Sequence, residues 1–245
     1  MEKKTSIIIV TYNTLDYVKK CIESVLLHTS KSHEIIIVDN ASENPTKNYV
    51  QGLGNNENIK IILNNENRLW SPANNQGLKH ASADSEFLLL LNSDVEVFKN
   101  NWITSLQQPM LKWSNVGITG TQYNFDPVWP TLGAIDGCCF MIRRKLVNEI
   151  GLLDERYPWN GAGSVFTYNA WKKGWLYYHI EDQTLLIHYG KRSRYSNNFQ
   201  LKNQKVPKFE VLRQIGFKPK YAIIPYFKNK LGIFNINDYL NRKIK

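Results

Sequence analysis

The chain has 245 residues and a mass of 28.5 kDa, with 42% hydrophobic and 21% charged residues. This length and composition exclude a disordered chain and predict one α/β domain, with or without a small appendage. The net charge of +10 attracts anionic partners of any class, so charge alone selects none of them.

The amino terminus and the cysteines restrict the cellular setting. Residues 1–5 lead directly into an apolar strand and do not read as a secretory signal, and no apolar stretch reaches the ~20 residues of a membrane span. Cys21, Cys138 and Cys139 cannot all pair, and two are adjacent, which indicates buried reduced thiols rather than disulfides or a zinc site. We therefore expect a cytoplasmic protein without redox chemistry.

The first part of the chain alternates between strands and helices. Residues 6–10 and 34–38 are nearly continuous β-branched runs, typical of strands buried on both faces. Between them, apolar residues recur at helical spacing after Thr14, a predicted helix cap. A helix is also predicted over 72–81, and strands over 59–63 and 87–91. This order predicts right-handed βαβ crossovers and a parallel sheet.

The second part of the chain continues with both kinds of element. A helix is predicted over 101–108, ended or kinked by Pro109. The pattern then predicts strands over 117–121, 138–142, 176–179 and 185–188, helices over 144–150 and 166–174, and loops over 123–131 and 154–164.

Polar side chains follow three of the predicted parallel strands, over 11–13, 39–42 and 92–96. The carboxyl ends of parallel strands meet at the edge of a sheet where ligands bind. Asn92 and Asp94 stand two residues apart and point the same way, which suits Mg²⁺ or Mn²⁺ carrying phosphates. The alternatives are ordinary ones: a polar turn after a buried strand, and for Asp39 a turn residue or helix cap.

Basic residues are concentrated after Lys191, where only Glu210 and Asp238 oppose a long series of lysines and arginines. Aromatic and aliphatic residues are interleaved with them between 221 and 234, which favours contact with an anionic membrane surface. A solvated basic helix packed on the core is the competing interpretation. A nucleic-acid partner is not expected, because the chain lacks a recognition motif.

Six segments carry a family resemblance: S-I-I-I-V-T-Y-N from Ser6, E-I-I-I-V-D-N-A-S from Glu34, N-E-N-R-L-W-S-P-A-N-N-Q-G-L from Asn65, F-L-L-L-L-N-S-D-V from Phe87, G-C-C-F-M-I-R-R from Gly137, and I-G-L-L-D-E-R-Y from Ile150. In this order they resemble family 2 glycosyltransferases of the GT-A fold, of the kind that build bacterial O-antigen, capsule and other surface glycans. The joint match is far less accidental than any one segment.

The resemblance implies an α/β GT-A fold, with a Rossmann-like, mostly parallel sheet flanked by helices. Residues 1–195 would form the nucleotide-sugar-binding catalytic domain, and residues 196–245 a basic amphipathic helical extension. The implied reaction is metal-dependent and inverting, and transfers a sugar from a UDP- or dTDP-sugar to a glycan or lipid-linked acceptor near the inner membrane face. The implied cofactor is Mn²⁺ or Mg²⁺.

The resemblance also implies roles for particular residues. The nucleotide pocket would be lined by Thr11, Tyr12 and Asn13, with Asp39 on the uridine or thymidine. The sugar-diphosphate would lie near Asn67, Trp70, Asn74 and Asn75. At the metal motif, Asn92 replaces the usual first aspartate, Ser93 follows it, and Asp94 carries the charge for the cation. His188 would coordinate metal or diphosphate, and Lys191 or Arg192 would assist the leaving group.

The chain departs from the family where an acidic pair is expected to open a helix. Residues 158–165 contain no acid, and a general base is worth roughly 10²–10⁴-fold in rate. The predicted substitute base is Asp136, because the corresponding loop faces the acceptor; Asp154 and Glu155 are the alternatives and more often serve a structural turn. The competing hypothesis is a family member that binds nucleotide sugar or glycan without turnover.

Overall fold

The structure is a computed structural model, and it describes residues 3–121, 137–159, 161–180, 182, 184–190, 231 and 233. Most of the predicted basic extension over 196–245 lies outside the described residues, and the domain boundary predicted after residue 195 stays a prediction.

Strands and helices alternate along most of the described chain. The strands are β1 (Thr5–Thr11), β2 (Glu34–Asp39), β3 (Ile59–Leu63), β4 (Phe87–Asn92), β5 (Val95–Val97), β6 (Val116–Gly120), β7 (Cys139–Arg143), β8 (Leu176–His179) and β9 (Leu186–His188). The helices are α1 (Leu15–His28), α2 (Asn44–Gly52), α3 (Trp70–His80), α4 (Trp102–Lys112), α5 (Arg144–Ile150) and α6 (Ala162–Lys172). None of the helices in the described ranges is both long and apolar enough to cross a membrane.

Seven strands form one sheet in the order β3–β2–β1–β4–β7–β6–β8, within the part of the chain that the structure describes. β1 pairs in parallel with β2 and β4, β2 in parallel with β3, and β6 in parallel with β8. β7 runs antiparallel to both of its neighbours, β4 and β6. The carboxyl ends of β1–β4, β6 and β8 therefore lie at one edge, which confirms the predicted mostly parallel α/β sheet.

Two apolar layers cover the faces of this sheet. One packs α1, α2 and α4 against the side chains of Ile7 and Ile9, and the other packs α3, α5 and α6 against that of Ile8. Successive strand residues point to opposite faces, so the continuous apolar runs that predicted the strands supply both layers.

The contact between α3 and β1 depends on Gly77. A Cβ atom at this position would lie 2.3 Å from Cγ2 of Ile8, far closer than van der Waals contact. The missing side chain therefore lets the helix approach the sheet.

Several predicted boundaries are wrong. α4 continues through Pro109 to Lys112. Pro109 removes one backbone donor, but its ring is buried and its carbonyl accepts from the Trp113 N–H at 2.9 Å. α6 begins at Ala162 rather than Phe166, since Gly161 turns the chain with a φ of 93° and no polar side chain caps the helix.

The start of α1 also differs from the expectation. Thr14 is the N-cap residue, but it adopts a φ of 54° and makes no side-chain capping hydrogen bond. Its carbonyl alone begins the helix by accepting from the Tyr17 and Val18 N–H groups.

Candidate active site

Three strand tips come together at the carboxyl edge of the sheet. The register pairs Thr11 of β1 with Asp39 of β2, and Val10 of β1 with Asn92 of β4. The polar residues that follow β1, β2 and β4 are therefore neighbours, as the sequence predicts for a ligand-binding edge.

Asp39 is fully buried and its carboxylate is bonded within the protein. It accepts from the Thr11 hydroxyl at 2.9 Å and from the Ser42 N–H at 3.0 Å, and 0% of its surface is exposed. In this structure Asp39 therefore stabilises the loop between β2 and α2, which is the turn role given above as the alternative to ligand binding. Its contact with a nucleobase stays a prediction.

Asn13 offers a hydrogen-bond donor beside this loop. Its N–H donates to the Ser42 hydroxyl at 2.8 Å, and its Oδ1 accepts from the Glu43 N–H at 2.7 Å. Its Nδ2 is buried and has no acceptor within the described part of the chain. A buried amide N–H left without an acceptor is costly, so this atom is ready for an acceptor on a ligand. Tyr12 is half-buried beside it.

Side-chain amides shape the loop that leads into α3. Asn40 donates to Asn67 at 2.7 Å, and the Oδ1 of Asn67 also accepts from the Leu69 N–H at 2.9 Å. Leu69 has a φ of 68° and a ψ of −174°, a conformation that glycine normally adopts. The amide of Asn67 therefore acts in this structure as a support for a strained turn.

Trp70 links this turn to the metal motif. Its indole N–H donates to Oδ1 of Asn92 at 3.2 Å. A Cβ atom at Gly137 would lie 3.1 Å from Cζ2 of Trp70, so the indole ring lies against the backbone of Gly137. The predicted pair Trp70 and Asn92 is thus in direct contact.

Asn74 and Asn75 are committed to protein partners. Asn74 donates to the Trp70 carbonyl at 2.8 Å within α3. Asn75 donates to the Leu153 carbonyl and to Glu155 at 2.9 Å each, and accepts from the Leu153 N–H at 3.0 Å. Both are 2% exposed. In this structure Asn75 secures the 153–155 segment to α3, and the sugar-diphosphate role of the two residues stays a prediction that this placement does not favour.

Asp94 and His188 form a close pair. Their Oδ1 and Nε2 atoms are 3.1 Å apart, and 11% and 18% of the respective side chains are exposed. The pair is assembled by a two-stranded sheet in which Val95 of β5 opposes His188 of β9. Burial by itself lowers the pKa of His188, but hydrogen bonds to Asp94 and Cys138 raise that pKa to about 10.

The Asp94–His188 pair fits a divalent cation. The pair brings together a carboxylate oxygen and an imidazole nitrogen, and both groups bind divalent cations in proteins. In the described ranges no group of three acidic, histidine or cysteine side chains is arranged to hold a metal ion. An ion held by this pair would take its remaining ligands from phosphates and water, and the carboxylate of Asp94 suits Mg²⁺ and Mn²⁺. Ser93, between the two motif residues, is buried.

The helix that the family opens with acids has none here. α6 begins at Ala162, and its first turn contains no acidic residue. Asp154 is paired with Arg156, which lowers its pKa, and Glu155 accepts from Asn75 beside α3. Neither alternative base is brought to the strand tips by these contacts. Asp136, Lys191 and Arg192 lie outside the described residues.

Comparison with known proteins identifies the family. Residues 6–133, just over half of the chain, match the family described as Glycosyl transferase family 2. The chain belongs to glycosyl transferase family 2. The resemblance of the sequence motifs to this family is thereby confirmed.

Two curated relatives of this family 2 chain are bacterial glycosyltransferases. Over 127 residues it is 28% identical to "Glycosyltransferase GlyG" of Streptococcus pneumoniae serotype 4, covering 51% of this chain and 41% of that protein. Over 107 residues it is 34% identical to the "GalNAc(5)-diNAcBac-PP-undecaprenol beta-1,3-glucosyltransferase" of Campylobacter jejuni, covering 43% and 34%. The chain thus spans less than half the length of these relatives.

A solved structure supports the fold of this family 2 chain. The mannosyltransferase PcManGT from Pyrobaculum calidifontis, determined with GDP-Man and Mn²⁺, aligns with a TM-score of 0.62 at 17% identity, covering 74% of this chain and 56% of that one. At this identity the likeness shows the GT-A fold and no more.

Proposed function

We propose that the protein is a glycosyltransferase that moves a sugar from a nucleoside-diphosphate donor to a glycan or lipid-linked acceptor, with Mn²⁺ or Mg²⁺ as cofactor. The observation that carries this proposal is the Asp94–His188 pair at 3.1 Å, placed at the carboxyl edge of the sheet in a family 2 chain.

The donor would lie across the strand tips. Asn13 supplies a buried N–H for the nucleoside, and Tyr12 supplies a ring beside it. Asp94 and His188 would hold the cation, which when bound neutralises the charge that develops on the leaving diphosphate. Asn92, held by the hydrogen bond from Trp70, ends β4 beside these groups at the same edge of the sheet.

The reaction is a displacement at the anomeric carbon. The acceptor hydroxyl oxygen forms the new bond to this carbon while the bond to the diphosphate oxygen breaks, and the diphosphate leaves with the electron pair. The hydroxyl proton passes to a base. We assign this role to Asp136, which immediately precedes Gly137, the residue against the Trp70 ring. The ion pair of Asp154 with Arg156 and the hydrogen bond from Asn75 to Glu155 support this choice, because both occupy the alternative bases.

The substrates follow from chemistry and from the relatives. We favour a UDP- or dTDP-sugar as donor and an inverting outcome. The undecaprenol-linked substrate in the name of the Campylobacter relative supports a lipid-linked acceptor, and the basic residues after Lys191 support work at the inner face of the cytoplasmic membrane.

A thermal-shift experiment with a panel of nucleoside diphosphates tests the proposal. We expect UDP or dTDP with Mn²⁺ to raise the unfolding temperature, and Asp94→Asn to abolish the part of the rise that depends on Mn²⁺. The matched control is Asp84→Asn, because Asp84 is exposed and pairs with Lys4 at the opposite end of the strands. Metal-dependent stabilisation that survives in Asp94→Asn would overturn the assignment of the cation site.

Turnover is measured separately. Hydrolysis or transfer of the donor sugar by the wild-type chain, lost in Asp94→Asn and Asp136→Asn, is the expected result. Donor binding with no detectable turnover of any nucleotide sugar would instead favour the binding-only hypothesis raised by the missing acidic pair.

A further inference from the structure

The His188 side chain is carried by a very small sheet. β5 and β9 contain three residues each and pair only with one another among the described strands. Two-stranded sheets are marginally stable by themselves, so the position of His188 beside Asp94 needs support from outside this pairing.

Tyr189 extends the pairing by one residue. Its backbone N–H donates to the Asp94 carbonyl at 2.9 Å, directly beyond the last residue of β9. Its phenol O–H donates to the carboxylate of Glu96 on β5. Tyr189 is thus hydrogen-bonded both to Asp94 and to Glu96, which lies two residues after Asp94 on β5.

The ring of Tyr189 is attached to α1. It lies 5.3 Å from the ring of Tyr17, inclined by 56°, and the Lys20 ammonium lies 5.2 Å from its centroid. Both partners belong to a helix whose Val18 and Cys21 are fully buried in the core. α1 is therefore a rigid support, and Tyr189 transmits that rigidity to β9.

We infer that Tyr189 is a positioning residue that holds His188 against Asp94, so that the two side chains are already together when a divalent cation binds. This inference rests on the proposed function of the pair. Without the Tyr189 contacts, cation binding must also order the segment that bears His188, and the affinity for the cation falls accordingly. Residues that orient metal ligands in this way change metal affinity by roughly 10–100-fold when they are removed.

Tyr49 is a matched control for Tyr189. It packs against the core layer that contains Val18 and Cys21 of α1, and the Lys19 ammonium of α1 lies 5.5 Å from the centroid of its ring. Tyr49 belongs to α2, and among the described residues its ring contact is with Lys19 of α1 and not with β5 or β9. Its removal should lower stability without changing the cation site.

The test measures Mn²⁺ binding to the full chain from the electron paramagnetic resonance signal of free Mn²⁺, with and without UDP. We expect Tyr189→Ala to weaken binding about 10-fold, Tyr189→Phe to weaken it less, and Tyr49→Ala to leave it within about twofold. Unfolding midpoints in urea are recorded for each variant, so that a loss of folding is separated from a loss of affinity.

A double-mutant cycle with His188→Ala shows whether Tyr189 acts through the histidine. Adding Tyr189→Ala to His188→Ala should cause no further loss of Mn²⁺ affinity. Equal Mn²⁺ affinity in Tyr189→Ala and the wild type, or fully additive losses in the cycle, would overturn the inference. Failure of the wild-type chain to bind Mn²⁺ with UDP would refute the proposed function itself.

Discussion

The indole N–H of Trp70 donates a hydrogen bond to the side chain of Asn92 at 3.2 Å. An indole N–H can only donate, so the Asn92 atom that it meets is the carbonyl oxygen, and the amide NH₂ points away from Trp70. This NH₂ has no acceptor among the described residues. In the proposed donor site, Asn92 would therefore present an amide NH₂ to the nucleotide sugar in place of the carboxylate that the family usually has.

The substitution Asn92→Asp tests whether the amide NH₂ of Asn92 donates to the nucleotide. A carboxylate would still accept from Trp70 but would present an oxygen and a negative charge to the nucleotide. We expect UDP binding without metal to weaken about 10-fold, since a hydrogen bond to a charged group is worth about 1.5–3 kcal/mol, and Mn²⁺ binding to be no weaker. Titration calorimetry measures both, with the exposed Asn55→Asp as control. Unchanged UDP affinity in Asn92→Asp would contradict this role.

Gly77→Ala should strongly destabilise the fold. Its Cβ would lie 2.3 Å from Cγ2 of Ile8, and overpacking of this kind costs about 1–3 kcal/mol. Gly52→Ala is the control, because no atom lies within 4 Å of its Cβ position and its φ is −61°. Urea unfolding should show a loss for Gly77→Ala only, partly restored by adding Ile8→Ala. No restoration would mean that the contact with Ile8 is not the cause.

At position 69, glycine should give a more stable protein than valine, which is the reverse of the usual order. Its φ of 68° and ψ of −174° strain any residue with a Cβ by about 1–3 kcal/mol, and a β-branched residue most of all. We expect Leu69→Gly to be more stable in urea than Leu69→Val. At Leu53, whose φ is −78°, the same pair should follow the opposite order. A valine at 69 that is tolerated better than glycine would show that the turn is not strained.

Glu34 should make stability depend on pH. Burial alone would raise its pKa, but hydrogen bonds from Lys60, Ser6 and Ser82 lower the pKa from 4.5 to about 2. Because the folded pKa is the lower one, this stabilisation is complete above pH 4.5 and is lost as the pH falls toward 2.

Glu34→Gln measures that stabilisation. Allowing for solvent screening, we expect the variant to lose about 2 kcal/mol of unfolding free energy at pH 7 and to approach the wild type near pH 2.5. The exposed Glu57→Gln should follow the wild-type curve throughout. Urea unfolding across this range gives the comparison, and parallel curves for Glu34→Gln and wild type would exclude Glu34 as the source.

The strands of the parallel half could be predicted from sequence because each is a continuous apolar run. β1, β2, β3 and β4 lie within one residue of the predicted ranges, and the polar residues after them mark the ligand edge. α2 could not be predicted. Only Thr46 and Val50 of its nine residues are buried, so its sequence shows no apolar residues recurring at helical spacing.

The finer structure of the candidate site depends on contacts that have no local signal. The pairing of β5 with β9 joins distant three-residue segments, and the proximity of His188 to Asp94 was expected from the family resemblance alone. The same limit explains Asp39 and Asn75. Their residue types suit a ligand, but the partners that occupy them, Ser42 and Leu153, are set by the fold.

The reversed direction of β7 affects how this architecture can diversify. β6 ends and β7 begins at the same edge as the tips of β1, β2 and β4, which is the edge of the proposed donor site. A change of chain length between these two strands need not alter the register of any strand, so the sequence can vary beside the proposed site at little risk to folding.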